Sequence, residues 1–190
     1  MVDCESFGGI SVEALELFCK DLPLVLPDGY RAFLQESNGG YFRGNKFPIP
    51  ELRDGGELDV LFGINLARPL DLRFWMVEMK GEIPAEAIIV GGDPGGNFIV
   101  LEDGRVWYYD HQYRFPQSSD NQNSYFVADT FGEFLNLLGS RRGSTELEGP
   151  LGPKLAENVW HYAPQSRSLQ EVPRDIHARF MHRGHMVLTR

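Results

Sequence analysis

Apolar positions along this chain recur first at helical spacing and later in continuous runs, and the change from one to the other separates helices from strands. In SVEALELFCKDL (11–22), Val12, Leu15, Phe18, Cys19 and Leu22 share one helical face, and Ser11 stands where an N-cap belongs. Pro27 can open a second helix, on which Tyr30, Phe33 and Leu34 align before Asn38-Gly39-Gly40 ends it. From Tyr41 to Asn65 the chain is punctuated by glycine and proline, and LDVLFGI (58–64) is its best strand candidate. Leu72, Trp75, Met76 and Met79 form a third helical stripe, a pattern that belongs to a core far more often than to a cofactor box.

Continuous β-branched and aromatic runs then replace the helical spacing. AIIVGG (87–92), FIVLE (98–102) and VWYYDH (106–111) read as successive strands, with an Asp-Gly turn inside EDGR (102–105). After the polar loop RFPQSSDNQNS (114–124) comes the short strand YFVA (125–128). Thr130 and Glu133 have capping-box form, Phe131, Phe134, Leu135 and Leu138 follow at helical spacing, and Gly139 closes that helix. Antiparallel turns with helices gathered toward the ends predict an α+β fold.

Residues 1–140 are expected to form the domain, 141–154 a Gly-, Pro- and Ser-rich linker, and 155–190 a C-terminal extension. Within that extension, 172–183 has a helical pattern starting near Pro173, and 185–189 is a strand candidate. There are no internal repeats.

Four glycines in VGGDPGGN (90–97) raise the question of a phosphate cradle. A P-loop would need a lysine and a hydroxyl after the last glycine, yet Gly96 is followed by Asn97 and Phe98. A dinucleotide fingerprint fails because Asp93 stands where its second glycine would fall. The glycines are therefore assigned to a corner between strands, and no cofactor is expected.

Charge changes the picture further. Residues 1–140 hold 10 Lys/Arg and 22 Asp/Glu, a net of −12, whereas 141–190 hold 8 and 5, a net of +3. An acidic body disfavours nucleic acid, whose affinity comes largely from Lys/Arg contacts to phosphate, and favours a basic protein partner. The basic tail would allow docking on the same body or on a second copy as a homodimer. With no apolar run approaching a bilayer span, no signal-peptide pattern and only Cys4 and Cys19, the chain is expected to be cytoplasmic.

Chemistry-bearing constellations are sparse. His177, His182 and His185 with Asp175 have loose ligand spacing, but the interleaved Arg174, Arg179 and Arg183 disfavour a dication, so no metal is expected. Cys19 lies on an apolar helical face, where a thiol is inert, and no serine sits in a G-x-S-x-G elbow. No reaction is specified, and no catalytic residue is expected. The best candidates for partner contact are acids in or beside the strands, Glu57, Asp59, Asp93, Glu102, Asp103 and Asp110, with Trp107 as an aromatic anchor. Because Trp107, Tyr108 and Tyr109 alternate faces, at least one ring is expected to be exposed.

Three blocks together resemble a known family. LPDGYRAFLQESNGG (26–40), the corner around Ile88, Gly92, Asp93, Gly95, Gly96 and Asn97 with the strand Gly104, Val106, Trp107, Asp110 and His111, and the helix Val127, Ala128, Phe131, Phe134 and Leu135 are similar to blocks of the SUKH superfamily (Smi/Knr-type domain). Thr130 stands where that family usually has serine. The resemblance covers about residues 10–140 and implies an α+β fold, with a mixed or antiparallel sheet and flanking helices, and no catalytic set. It also implies an immunity protein that binds and neutralises a cognate protein toxin by occluding its active site, and the acidic body suits a toxin with a basic groove, such as a nuclease. A non-catalytic regulatory or scaffold module and an uncharacterised enzyme stay open as alternatives.

Overall fold

The computed structural model describes residues 4–22, 24–138, 158–163, 168–173 and 186, with the backbone alone at 43–44, 53–54, 158–163 and 168–173. The predicted 141–154 linker and the 185–189 strand, apart from Met186, lie outside the described residues, as does most of the predicted 172–183 helix. The beginning of that helix is corrected: Val172 and Pro173 close a strand.

Helix α1 (Val12–Cys19) starts where the Ser11 hydroxyl accepts from the Ala14 amide at 3.2 Å. Its buried side is Leu15 and Phe18, whereas Val12 is 56% exposed, so the apolar stripe is narrower than its spacing suggests. Cys19 is only half-buried, and its sulfur accepts from the Arg31 guanidinium at 3.2 Å. Helix α2 (Asp28–Glu36) begins immediately after Pro27 and buries Tyr30, Phe33 and Leu34.

Strand β1 (Glu5–Ser6) edges a seven-stranded sheet that continues through β2 (Gly40–Ile49), β3 (Leu52–Leu61), β4 (Ala87–Gly92), β5 (Phe98–Glu102), β6 (Arg105–Tyr109) and β7 (Ser124–Ala128). Spatial order equals chain order and every pairing is antiparallel, so the sheet is one long meander. Helix α3 (Leu72–Glu78) lies between β3 and β4, and α4 (Phe131–Leu137) follows β7. A separate hairpin pairs β8 (Asn158–Ala163) with β9 (Ser168–Pro173). The sheet is thus antiparallel and helix-flanked, an α+β architecture.

The region 41–65 departs from its sequence reading. It is a hairpin of two ten-residue strands, with register shifts after Tyr41 and after Phe47. Glycine and proline there mark bulges in long strands rather than loops between short ones. Only Val60 and Leu61 of β3 pair with β4. The far half of the hairpin instead returns over the sheet, where Phe47 meets the rings of Tyr108 at 6.0 Å and Phe134 at 5.3 Å.

Both faces of the central strands are consequently covered. On one, Trp75 of α3 stacks on Phe62 at 5.3 Å and meets Phe98 edge-on at 5.1 Å, and its indole N–H donates to the Pro69 carbonyl at 2.7 Å. Elsewhere in the core, Phe131 of α4 packs against Tyr30 at 4.8 Å and Phe33 at 5.3 Å. Met186 is also buried, and its amide donates to the Glu82 carbonyl at 2.7 Å. No helix among the described residues is long and apolar enough to cross a membrane.

Candidate protein-interaction surface

The β4–β5 corner is closed by its own aspartate. The Asp93 carboxylate accepts from the Asn97 backbone at 2.8 Å, the Asn97 amide at 3.0 Å and the Tyr108 hydroxyl at 2.6 Å, with Arg114 at 3.5 Å. Gly96 takes φ +87, and a β-carbon on Gly95 would come within 3.3 Å of the Asp93 carboxylate. The space beside these glycines therefore holds an anionic side chain, and the Asn97 amide, a donor a phosphate would need, is already engaged.

Asp110, one residue beyond β6 at the same end of the sheet, is fully buried. Its carboxylate accepts from the backbone of Arg114 at 2.7 Å and Phe115 at 2.9 Å, and from the Ser118 hydroxyl. Burial pushes the Asp110 carboxyl above its ordinary range, against the lowering effect of those donors. His111 is buried beside it, edge-on to Tyr109 at 5.1 Å. Glu57 of β3 is half-buried in the same electrostatic neighbourhood. Desolvation raises its carboxyl most, with Arg114 opposing and Asp93 reinforcing that shift. Asp59 is also half-buried and acts on Glu57 as a second like charge.

The other end of the meander is a tight turn. Glu102 pairs with Arg105 across the hairpin, and between them Asp103 at φ 50 and Gly104 at φ 77 supply the two left-handed residues such a turn requires. Asp103 is exposed and Glu102 is buried. Arg105 reaches Asp129 at 3.4 Å.

The seven residues singled out from the sequence therefore do not form one surface. Glu57, Asp93 and Asp110 gather near Arg114, with Asp59 beside Glu57, whereas Glu102 and Asp103 lie at the opposite end of β5. Asp93, Glu102, Trp107 and Asp110 are all under a tenth exposed. Asp93 and Asp110 brace turns because each accepts backbone amides that would otherwise be buried without partners. The expectation of an exposed ring is corrected: Trp107, Tyr108 and Tyr109 are all buried, because the sheet is covered on both faces. Trp107 packs edge-on against Phe126 at 5.8 Å, and its indole N–H is without a hydrogen-bond partner among the described residues.

Arg114 was not singled out from the sequence, where it opens a polar loop without periodicity. No local signal marks it, since its role comes from Asp93, 21 residues away. Asp28 and Glu86 were likewise passed over. The first is one of several acids near a helix start, and only the fold sets it beside the β5–β6 turn.

A long antiparallel meander, a two-helix entry, an aspartate-closed glycine corner and a capped final helix define an α+β domain of the SUKH type. The sequence matches the SMI1/KNR4 family (SUKH-1) over residues 9–137, from just before α1 to the end of α4, and the chain belongs to that family. No curated protein was found to match it.

Proposed function

We propose that this is an immunity protein, which binds a cognate protein toxin in the cytoplasm and neutralises it by covering its active site, without chemistry of its own. Family membership over residues 9–137 is compatible with that role. The observation that carries the reading is electrostatic: residues 1–140 hold 22 acids against 10 bases. Among the carboxylates, Asp28, Glu86 and Asp103 are exposed. A surface of this sign speeds encounter with a basic partner and disfavours nucleic acid itself. A nuclease toxin fits, because a cleft that binds phosphate is basic.

The test is co-expression with each candidate toxin encoded by a neighbouring gene. Growth should be rescued by the full chain, and Asp103→Asn should slow association and reduce its salt dependence while leaving the melting temperature in place. Asparagine also tolerates the left-handed backbone at that position. Failure to rescue growth from any neighbouring toxin, with the protein folded and abundant, would sink the immunity reading.

A further inference from the structure

A groove of about 650 Å³ opens between the segment joining α1 to α2 and the β5–β6 turn. Its apolar lining includes Val25, Leu26 and Leu101. Leu26 and Leu101 are buried, but Val25 is 91% exposed, more than Val12, Leu17 or Val77. Scattered exposed valines need no explanation, whereas one lining a recess offers an anchor point for an aliphatic side chain.

Asp28, Glu86, Glu102 and Asp103 also line this groove, and among the described residues no lysine, arginine or histidine does. Arg105, the next residue along the chain, reaches Asp129 at 3.4 Å. Asp28, Glu86 and Asp103 place negative charge around one recess, which a partner's cations complement on docking. The carboxylates are not arranged for a single ion, since no three Asp, Glu, His or Cys side chains among the described residues are placed to hold a metal. Spread charge over an apolar floor suits an extended organic cation instead. The tight turn at Asp103 and Gly104 fixes part of the rim in advance, which lowers the ordering cost of binding.

We propose that this groove docks a short segment of a protein partner in which arginine or lysine alternates with aliphatic residues. The cations meet Asp28, Glu86 and Asp103, and an aliphatic side chain packs on Val25 and Leu26. This rests on the protein-binding reading above and deepens it by naming where the partner is held and what chemistry it carries.

The probe is a capped hexapeptide of alternating arginine and leucine, titrated into the isotope-labelled full chain. Amide shifts are expected at Val25, Leu26 and Asp28 and from Leu101 to Gly104, while a glutamate–leucine peptide should move none of them. Combining Glu86→Lys with Asp103→Asn should weaken binding about tenfold or more, and Val25→Ser should weaken it severalfold, both with unchanged melting temperatures. Shifts confined to the Glu57–Asp93 end would overturn the proposal. So would an unchanged affinity for Val25→Ser, which would mean attraction of charge alone. Groove shifts that follow protein concentration without peptide would identify the occupant as a second copy, and would also overturn it. Co-expression separates the two readings: rescue retained by the charge-altered variant removes the groove and leaves immunity standing, whereas no rescue by the unaltered chain removes immunity itself.

Discussion

Asn38 and Ile64 clasp each other through two hydrogen bonds. The Asn38 amide donates to the Ile64 carbonyl at 3.0 Å, and the Ile64 backbone N–H donates to the Asn38 side-chain oxygen at 2.8 Å. This ties the end of α2 to the segment after β3, 26 residues away. Asn38 takes φ 47, which asparagine tolerates better than most residues, and it is 4% exposed. Gly63 must stay glycine here, because a β-carbon would fall 2.0 Å from the Asn38 carbonyl oxygen.

Replacing Asn38 by alanine should leave a buried donor and a buried acceptor unpaired and destabilise the protein by about 2–4 kcal/mol. Asn38→Gly removes the same bonds but accepts the left-handed backbone, so it should cost about 1 kcal/mol less. Urea unfolding of the two variants separates bond from backbone. Equal midpoints for wild type and Asn38→Ala would show that water replaces the clasp.

The hydroxyl of Tyr108 donates to Asp93 at 2.6 Å in a fully buried setting. Tyr108→Phe should cost about 1.5–3 kcal/mol, the range for a hydrogen bond to a charged group. A cycle with Asp93→Asn should reveal coupling between the two positions, because each removes part of one network that also includes Arg114. Additive losses in chemical denaturation would mean the two groups act separately.

Glu57 supplies the pH dependence. Desolvation raises its carboxyl above the ordinary 4.5, so the folded protein holds this proton more tightly than the unfolded chain. Its contribution to stability is full below 4.5 and is lost as pH rises through the elevated value. Glu57→Gln, which never ionises, should gain on the wild type over that window and keep the gain at neutral pH. Asp110 shifts in the same direction, so the comparison must be made as a difference between variant and wild type. Parallel stability curves across the acid range would refute the assignment.

Thr130 caps α4 by accepting from the Glu133 amide at 3.1 Å, while the Glu133 carboxylate accepts from the Thr130 amide at 3.2 Å. Thr130→Ala should cost about 1 kcal/mol, and Thr130→Ser nearly nothing. Thermal unfolding checks both. The ring contacts of Phe131 and Phe134 should persist in either variant, because the cap fixes where the helix begins and not which face it buries.

Local devices were legible from the sequence wherever a few neighbouring residues settle the outcome. Ser11 and Thr130 cap the helices they precede, and the Asp-Gly pair at 103–104 makes the two-residue turn, because each mechanism closes within four residues. The strands around that turn followed from β-branched and aromatic runs bounded by turn residues, and the α+β class followed from the order of elements. The β2–β3 hairpin did not, because its pairing and bulges are set by partners across the sheet and by Phe47 lying against Tyr108. Nor did the fate of the acids. An aspartate beside a turn reads the same whether it faces solvent or braces a buried corner, and only Arg114, Tyr108 and the amides folded around Asp93 and Asp110 distinguish the two. The groove is likewise a product of the fold: residues near 25, 86 and 103 meet there because the antiparallel strands end beside the entry to α2. Sequence set the sign of the charge and the start of each capped helix; tertiary structure decided which carboxylates water can reach, because burial belongs to the assembled chain and to no segment of it.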